Sequence, residues 1–309
     1  MLRFITVRLL QFPLILGVIY FVTFALAWLA PGSPFEGERK LNPAVVERLK
    51  REFHAEKWYT FLGYYPRNIL LTGNFGPSFE YPEWSVNDVV RHSLPVSVSL
   101  GLMALVIAVI FGVAAGVMAA VRRGGPFDLA SLGVALVGIS LPSFVTAGVL
   151  LLAFAVQLRW FPIGGWRNPY ELFLPALALS LMPMAYIARL TRVSMIDTLG
   201  SDYVRTARAK GLSRGTVIWK HCLRNAFLPV LTYLGPAAAY TLTGSFVVEK
   251  VFNIPGLGQH FVNSVLNRDQ TLILGTVMIY SAFLLSLNLI VDVMYVFVDP
   301  RIDLTAKSG

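Results

Sequence analysis

The sequence is poor in cysteine and in charge. Its 309 residues include one cysteine, Cys222, which excludes an internal disulfide and any cysteine-based metal cluster. Charged residues make up 14% of the chain and hydrophobic residues 56%, and the mean hydropathy is +0.64. A balance this apolar indicates an integral membrane protein rather than a soluble globular one.

Sequence motifs of several enzyme classes are also missing. The chain has no GxxxxGK[ST] phosphate-binding loop, so it has no means of its own to bind ATP by that route. It has neither a GxSxG nucleophile elbow nor an HExxH zinc motif, and its four histidines lie far apart in sequence. We therefore predict no catalytic residue, no metal site and no cofactor bound by this chain.

Six apolar runs are long enough to cross a membrane, for which a helix needs about 20 residues. They lie at roughly 9–29, 94–121, 129–158, 172–187, 227–248 and 272–298. The fourth run is short and contains Pro175 and Pro183, so its ends are poorly defined by the sequence. The first run could instead be a signal peptide, but its length and the helix-stopping sequence WLAPG favour a retained span. The pattern predicts an all-α membrane protein with six transmembrane helices.

The distribution of Lys and Arg predicts the orientation of these spans. With both termini in the cytoplasm, the inner segments carry 14 basic and five acidic residues, and the outer face is near neutral. The predicted organisation is an N-terminal end with the first span (1–30), an outer segment (31–93), a five-helix core (94–300) and a cytoplasmic tail (301–309).

The outer segment contains a predicted amphipathic helix in the sequence LNPAVVERLKREFHAEKW. Asn42 is its expected N-cap and Pro43 its first helical residue, and the apolar residues that follow fall on one face. This helix is either a docking surface for an external partner or a lid on the membrane domain.

Two acidic residues lie where a membrane makes charge costly. Asp292 falls inside the sixth run, where a central carboxylate costs about 2.5 to 3.5 kcal/mol, and Glu249 falls at the outer end of the fifth. Together with Asn288, one helical turn earlier, Asp292 either lines a substrate path or forms a hydrogen bond between helices. Gly112 and Gly116 have the GxxxG spacing that permits close approach of two helices.

A strongly basic segment, SDYVRTARAKGLSRGTVIWKHCLRNAFLPV, separates the fourth and fifth runs. Helical spacing predicts a short first helix that ends at Gly211, because glycine adopts the left-handed conformation of helix ends without steric cost. Ser213 is predicted to cap a second helix running to about His221. The two helices should form a cytoplasmic knob with the small residues Ala207 and Ala209 at its surface.

Small side chains of this kind suit insertion into a groove on another protein. Anchoring of the basic residues at anionic lipid is the alternative, and it explains the charge but not the pattern of alanine and glycine. The segment resembles the cytoplasmic signature loop of ABC-importer permeases, whose pattern is Glu-Ala-Ala, three residues, Gly. The matching heptad here is RTARAKG, at 205–211, which lacks the Glu and the first Ala.

The resemblance extends over nearly the whole chain. Four further segments, in order along the chain, are similar to the B-type permease subunit of bacterial oligopeptide importers: LAPGSPFEGER, GNFGPSFEYPEWSVNDVV, LTGSFVVEKVFNIPGLGQHFVNSVLNRD and VDVMYVFVDPRI. Such a set is specific for the family and less specific for the substrate, since dipeptide and nickel permeases are close relatives.

The resemblance implies a type I importer permease fold in the bacterial inner membrane, paired with a second, homologous permease subunit. It also implies two cytoplasmic ATPase subunits, which would hold ATP and Mg and receive the loop at 189–225, and a periplasmic binding protein that delivers peptide. The outer loop after the fifth span, rich in glycine and proline, is expected to face the arriving peptide.

Three groups of candidate site residues follow. The expected ATPase-coupling residues are Tyr203, Arg205, Thr206, Ala207, Arg208, Ala209, Lys210, Gly211 and Leu212; the expected pathway residues are Asn288 and Asp292; the expected residues facing the binding protein or substrate are Glu249, Asn253, Pro255, Gly256 and Gly258. Two alternatives from other classes stay open, a proton-driven secondary transporter that uses Asp292 as its relay and a membrane-embedded enzyme. A peptide receptor without transport activity is not separable from an importer by sequence.

Overall fold

The protein is described by a computed structural model that covers residues 2–30, 47, 51, 57–79, 81, 83–243 and 245–298. Most of the predicted amphipathic helix that starts at Asn42, and the tail at 301–309, lie outside these described residues. The described chain forms helices joined by loops, with an isolated antiparallel bridge between Pro77 and Ser85.

The helices are numbered here in chain order. Their bounds are α1 Leu2–Leu29, α2 Trp58–Thr72, α3 Val86–Val121, α4 Pro126–Ser140, α5 Ser143–Leu150, α6 Pro169–Leu199, α7 Asp202–Ala209, α8 Arg214–Thr216, α9 Leu223–Ala226, α10 Leu228–Thr243, α11 Ser245–Val251, α12 Leu257–Leu266 and α13 Gln270–Val298. Two π-helical stretches, Leu151–Gln157 and Val217–Cys222, continue α5 and α8 respectively. The prediction of an all-α chain is confirmed over the residues that the structure describes.

Four of these helices, α1, α3, α6 and α13, are long and apolar enough to cross a membrane. The pair α4 and α5 with its π-helical extension passes the same test as a broken span, which brings the number to five. The predicted fifth run is covered by α10 and α11, which flank residue 244; that residue lies outside the described part of the chain.

The third predicted span is wrong as a continuous helix. The chain bends by 110° between α4 and α5, at Leu141 and Pro142. Leu141 has extended backbone angles (φ −91°, ψ 128°), as expected for a residue that precedes proline. The fourth predicted span, by contrast, lies within a longer helix. Asn168 caps the start of α6 by accepting hydrogen bonds from the amides of Tyr170 and Glu171, and the helix continues to Leu199, beyond the end of the apolar run.

The described chain divides into two compact units. The first comprises Met1–Ser97 and Pro255–Ser286. Its core is largely aromatic, because Tyr20 and Phe24 of α1 pack against Phe61 and Tyr65 of α2, with Leu274 of α13. The buried Tyr65 hydroxyl donates to the carbonyl of Thr271 at 3.1 Å. These contacts hold α2 against α1 and the start of α13.

The second unit comprises Val98–Ile254 and Leu287–Gly309. Its central helix is α6, which packs against α3, α4, α5 and α10. A Cβ atom at Gly112 would lie 2.8 Å from the Met184 carbonyl oxygen, and one at Gly116 would lie 2.5 Å from that of Ala188. The close helix approach predicted from the GxxxG spacing is therefore confirmed, with α6 as the partner of α3.

Candidate functional site

The signature segment begins with helix α7, of eight residues, which follows Ser201. The helix ends at Ala209, and the amide of Gly211 donates to the carbonyl of Arg208 at 2.9 Å. Gly211 has a φ of 76°, in the left-handed region that favours glycine. The predicted end of this helix is confirmed, and glycine is present because the backbone conformation requires it: a Cβ atom there would meet no atom within 4 Å.

Helix α7 is anchored through one apolar side. Val204 and Ala207 are buried, with 0% and 7% of their surfaces exposed. They belong to one cluster with six other buried residues: Val117, Ala120, Met195, Val217, Cys222 and Ala226. The expectation that Ala207 lies at the surface of the knob is therefore wrong. Valine and alanine three residues apart share a helix face, and the ends of α3 and α6 cover that face.

The remaining candidates lie on the rest of α7 and on the turn that follows it. Tyr203, Arg205, Thr206, Arg208, Ala209, Lys210, Gly211 and Leu212 are all exposed. The Tyr203 hydroxyl accepts a hydrogen bond of 2.9 Å from the side-chain amide of Asn225, which ties the outward face of α7 to α9. The exposed pair Arg205 and Asp202 is 3.4 Å apart, a distance and exposure at which an ion pair contributes little to stability.

The second helix of the knob starts as predicted but is longer. The Ser213 hydroxyl accepts from the Thr216 amide at 3.3 Å, which confirms the cap. Helical structure then continues through the π-helical stretch and α9 to Ala226, beyond the predicted end near His221. Burial raises the pKa of the Cys222 thiol, and the nearby Arg208 guanidinium opposes that rise.

A buried ion pair near the same end of the second unit was not predicted. Arg192 of α6 donates to both carboxylate oxygens of Asp128, at 2.5 and 2.8 Å, and Asp128 also accepts from the Gly124 amide at 2.9 Å. Asp128 is only 3% exposed. The pair fixes the start of α4 to α6. Its partners are 64 residues apart, so the sequence offers no local signal for it beyond an aspartate in the first turn of a helix.

The predicted pathway residues share helix α13. Asn288 is exposed, and its side-chain oxygen lies 3.4 Å from the position that a Cβ atom on Gly235 would take. Asp292, one turn later, is half-buried and has an interaction partner. Their role in a pathway stays a prediction.

The outer-loop candidates differ in exposure. Asn253 and Pro255 are exposed, whereas Glu249, Gly256 and Gly258 are buried. The Glu249 carbonyl accepts from the Ile254 amide at 2.9 Å and so closes the turn that contains Asn253, which has a φ of 49°. Of the five candidates, only Asn253 and Pro255 therefore present substantial surface, and the role of this loop stays a prediction.

A second feature that sequence reasoning missed is Asp269 of the first unit, which directly precedes α13. Its side chain is fully buried. One carboxylate oxygen accepts from the Ser78 hydroxyl at 2.6 Å and from the Phe79 amide at 2.7 Å. The other accepts from the Thr271 hydroxyl at 2.9 Å and from the Leu272 amide at 3.0 Å. Asp269 thus caps α13 and fixes the loop around Ser78 to it.

The long apolar helices define a polytopic helical membrane protein. The comparisons with known proteins show that its fold is that of a type I importer permease. A solved structure of an amino acid ABC transporter with histidines has the same fold, at a TM-score of 0.53 and 19% identity, over 68% of this chain and 94% of that one. The model of the family "Binding-protein-dependent transport system inner membrane component" matches residues 112–304. The chain belongs to this family, and it is a transport subunit of the membrane rather than an enzyme.

Curated relatives are similar over nearly their full length. The dipeptide transport system permease protein DppB of Bacillus subtilis is 47% identical over 94% of both chains. The oligopeptide transport system permease proteins OppB of Salmonella typhimurium and of Escherichia coli are each 44% identical, over 98% of this chain and 99% of theirs.

Proposed function

We propose that this chain is the permease subunit of an ATP-driven importer of oligopeptides, and that it forms half of the translocation path. Full-length relatives named as oligopeptide and dipeptide permeases support peptides as the substrate class. The subunit makes or breaks no covalent bond. It converts the closure of partner ATPases into alternating access to the two sides of the membrane.

The observation that carries this proposal is the two-sided construction of α7. One side, Val204 and Ala207, is buried among residues of α3, α6 and the π-helical stretch. The other side presents Tyr203, Arg205 and Thr206 to solvent. A force applied to the exposed side acts on a helix that is packed directly against two membrane-spanning helices. Since interiors are close-packed, such a displacement reaches those helices rather than being absorbed locally.

The proposal includes the partners of the complex. A second, homologous permease subunit forms the other half of the path, two cytoplasmic ATPase subunits bind ATP and Mg²⁺ and contact α7, and a periplasmic binding protein delivers the peptide. Both termini of this chain are cytoplasmic, in agreement with the excess of Lys and Arg in the inner segments. Nucleotide drives the change of state because the ATPases contact the coupling segment differently in each state.

The relative at 47% identity gives dipeptides as the second candidate substrate. The choice between the two depends on peptide length. In a reconstituted complex, stimulation of ATPase activity by peptides of four or more residues supports an oligopeptide importer, and stimulation confined to dipeptides supports the alternative.

The coupling role is tested at Gly211. A Gly211→Val substitution puts a β-branched residue into the left-handed region, at a cost of about 1 to 2 kcal/mol or more, and so shifts the turn that follows α7. We expect normal membrane insertion and complex assembly, with peptide uptake at least roughly tenfold lower than in the wild type. Uptake of labelled peptide into proteoliposomes, with ATPase activity measured in parallel, gives the readout.

The matched control is Gly211→Asn. Asparagine tolerates the left-handed region, and a side chain at this position meets no atom within 4 Å, so this variant should retain coupling. Uptake by Gly211→Val equal to that of the wild type would contradict the coupling role. Loss of uptake in both variants would show that the partner requires the absence of a side chain at this position, rather than a particular backbone angle.

A further inference from the structure

A cavity of about 390 Å³ lies beneath the coupling segment in the second unit. Its apolar wall consists of Val121, Leu199, Leu212, Val217 and Ile218, and its two charged residues are Arg208 and Arg214. The volume falls in the range of about 300 to 1,000 Å³ that is typical of small-ligand sites. The cavity therefore combines two guanidinium groups with an apolar wall.

The charge of the cavity comes from Arg208 and Arg214. Within the part of the chain that the structure describes, neither Arg208 nor Arg214 forms an ion pair, and no carboxylate lines the cavity. Two other basic residues of the second unit are paired, Arg192 with Asp128 and Arg205 with Asp202. The composition of the cavity thus favours an anionic ligand with an apolar portion.

The position of the cavity restricts the source of that ligand. Val121 is the last residue of α3 and Leu199 the last of α6, two helices that are long and apolar enough to cross a membrane. The basic pair Arg122 and Arg123 follows directly. The cavity therefore lies at the ends of two helices that are long enough to span a membrane, on the side that the charge distribution predicts to be cytoplasmic. Anionic lipids of the cytoplasmic leaflet attract basic residues that lie near that membrane surface.

We propose that this cavity binds the phosphate of an anionic phospholipid of the cytoplasmic leaflet. Arg208 and Arg214 donate hydrogen bonds to the phosphate oxygens, for which the planar guanidinium provides paired donors. Val121, Leu199 and Ile218 contact the glycerol and the first methylene groups of the acyl chains. Because Arg208 also lies at the end of α7, the bound lipid becomes part of the support of the coupling segment.

The test is native mass spectrometry of the purified full-length chain with phosphatidylglycerol or phosphatidylcholine as the added lipid. The wild type should retain phosphatidylglycerol in preference to phosphatidylcholine. In the double variant Arg208→Gln, Arg214→Gln, retention of phosphatidylglycerol should be roughly 10- to 30-fold lower than in the wild type, since each basic residue near the surface contributes on the order of 1 kcal/mol. The double variant Lys220→Gln, Arg224→Gln removes the same charge from the same segment outside the cavity, and it should retain phosphatidylglycerol as the wild type does.

A second variant keeps the proposal testable if the double arginine variant does not fold. Ile218→Trp fills the cavity without changing the charge, and it should reduce phosphatidylglycerol retention to a similar extent. Equal retention in this variant and the wild type, or an equal loss in both double variants, would overturn the proposal. If inorganic phosphate displaces the lipid as effectively as short-chain phosphatidylglycerol does, the site binds phosphate from solution. That result would also overturn the proposal.

Discussion

The loop around Ser78 in the first unit and the coupling segment in the second are built in different ways. The loop depends on one buried carboxylate, that of Asp269, which accepts four hydrogen bonds from Ser78, Phe79, Thr271 and Leu272. The coupling segment depends on a cluster of small and medium apolar side chains below α7. A polar network fixes a loop in one geometry, whereas apolar packing lets a helix and the elements packed against it shift together. The difference suits a fixed structural loop in one case and a moving contact in the other.

The largest expected effect is that of Asp269→Ala. The substitution removes the carboxylate that accepts hydrogen bonds from the amides of Phe79 and Leu272, which costs about 3 kcal/mol or more locally. Hydrogen exchange at these two amides should accelerate by roughly 100-fold. Ser78→Ala removes one donor and leaves the carboxylate, so it should cost about 1 kcal/mol. If the Phe79 amide still exchanges slowly in Asp269→Ala, the Asp269 carboxylate does not fix the loop around Ser78, and the contrast with the coupling segment fails.

The second prediction concerns the apolar packing below α7. Ala207→Leu places three additional carbon atoms into the cluster of Val204, Met195 and Val217, and overpacking of this kind costs about 1 to 3 kcal/mol. The midpoint of thermal unfolding should fall by several degrees, roughly 2 to 4 °C per kcal/mol. Cys222 is buried in the same cluster and is the only cysteine, so a thiol-reactive dye reports the unfolding of this region directly.

Ala209→Leu is the matched control for that experiment. Ala209 lies on the same helix but is exposed, so the same change of side chain should leave the unfolding midpoint within about 1 °C. Equal destabilisation by the two substitutions would mean that Ala209 is as closely packed as Ala207. That outcome would contradict the assignment of one buried and one exposed side to α7.

The parts of this site that the sequence predicts are those set by local geometry. Gly211 and Ser213 are recognisable because a helix end needs a left-handed residue and a helix start needs a side-chain acceptor, and each depends only on the next few residues. The spacing of Gly112 and Gly116 likewise predicts a close helix contact. It does not identify α6 as the partner, since that depends on the tertiary fold.

The parts that the sequence does not predict depend on distant residues. The prediction for Ala207 is wrong because periodicity groups residues into faces without saying which face another element covers. Asp269 and Ser78 are 191 residues apart, and no local pattern links them. The break at Pro142 is different, since the proline is visible in the sequence but proline also occurs inside spanning helices, as Pro175 and Pro183 do in α6.

The smallest expected effect is that of Ser213→Ala at the start of α8. The Ser213 hydroxyl is exposed and its hydrogen bond from the Thr216 amide is 3.3 Å long, so its loss should cost about 0.5 to 1 kcal/mol. Hydrogen exchange at Thr216 should accelerate by only a few-fold, and Ser213→Asp, which retains an acceptor at the cap, should restore the original rate. A loss as large as that of Asp269→Ala would mean that the coupling segment, too, depends on a polar contact. That result would contradict the hypothesis that the segment moves as a packed helix, because a single strong cap would then fix its geometry.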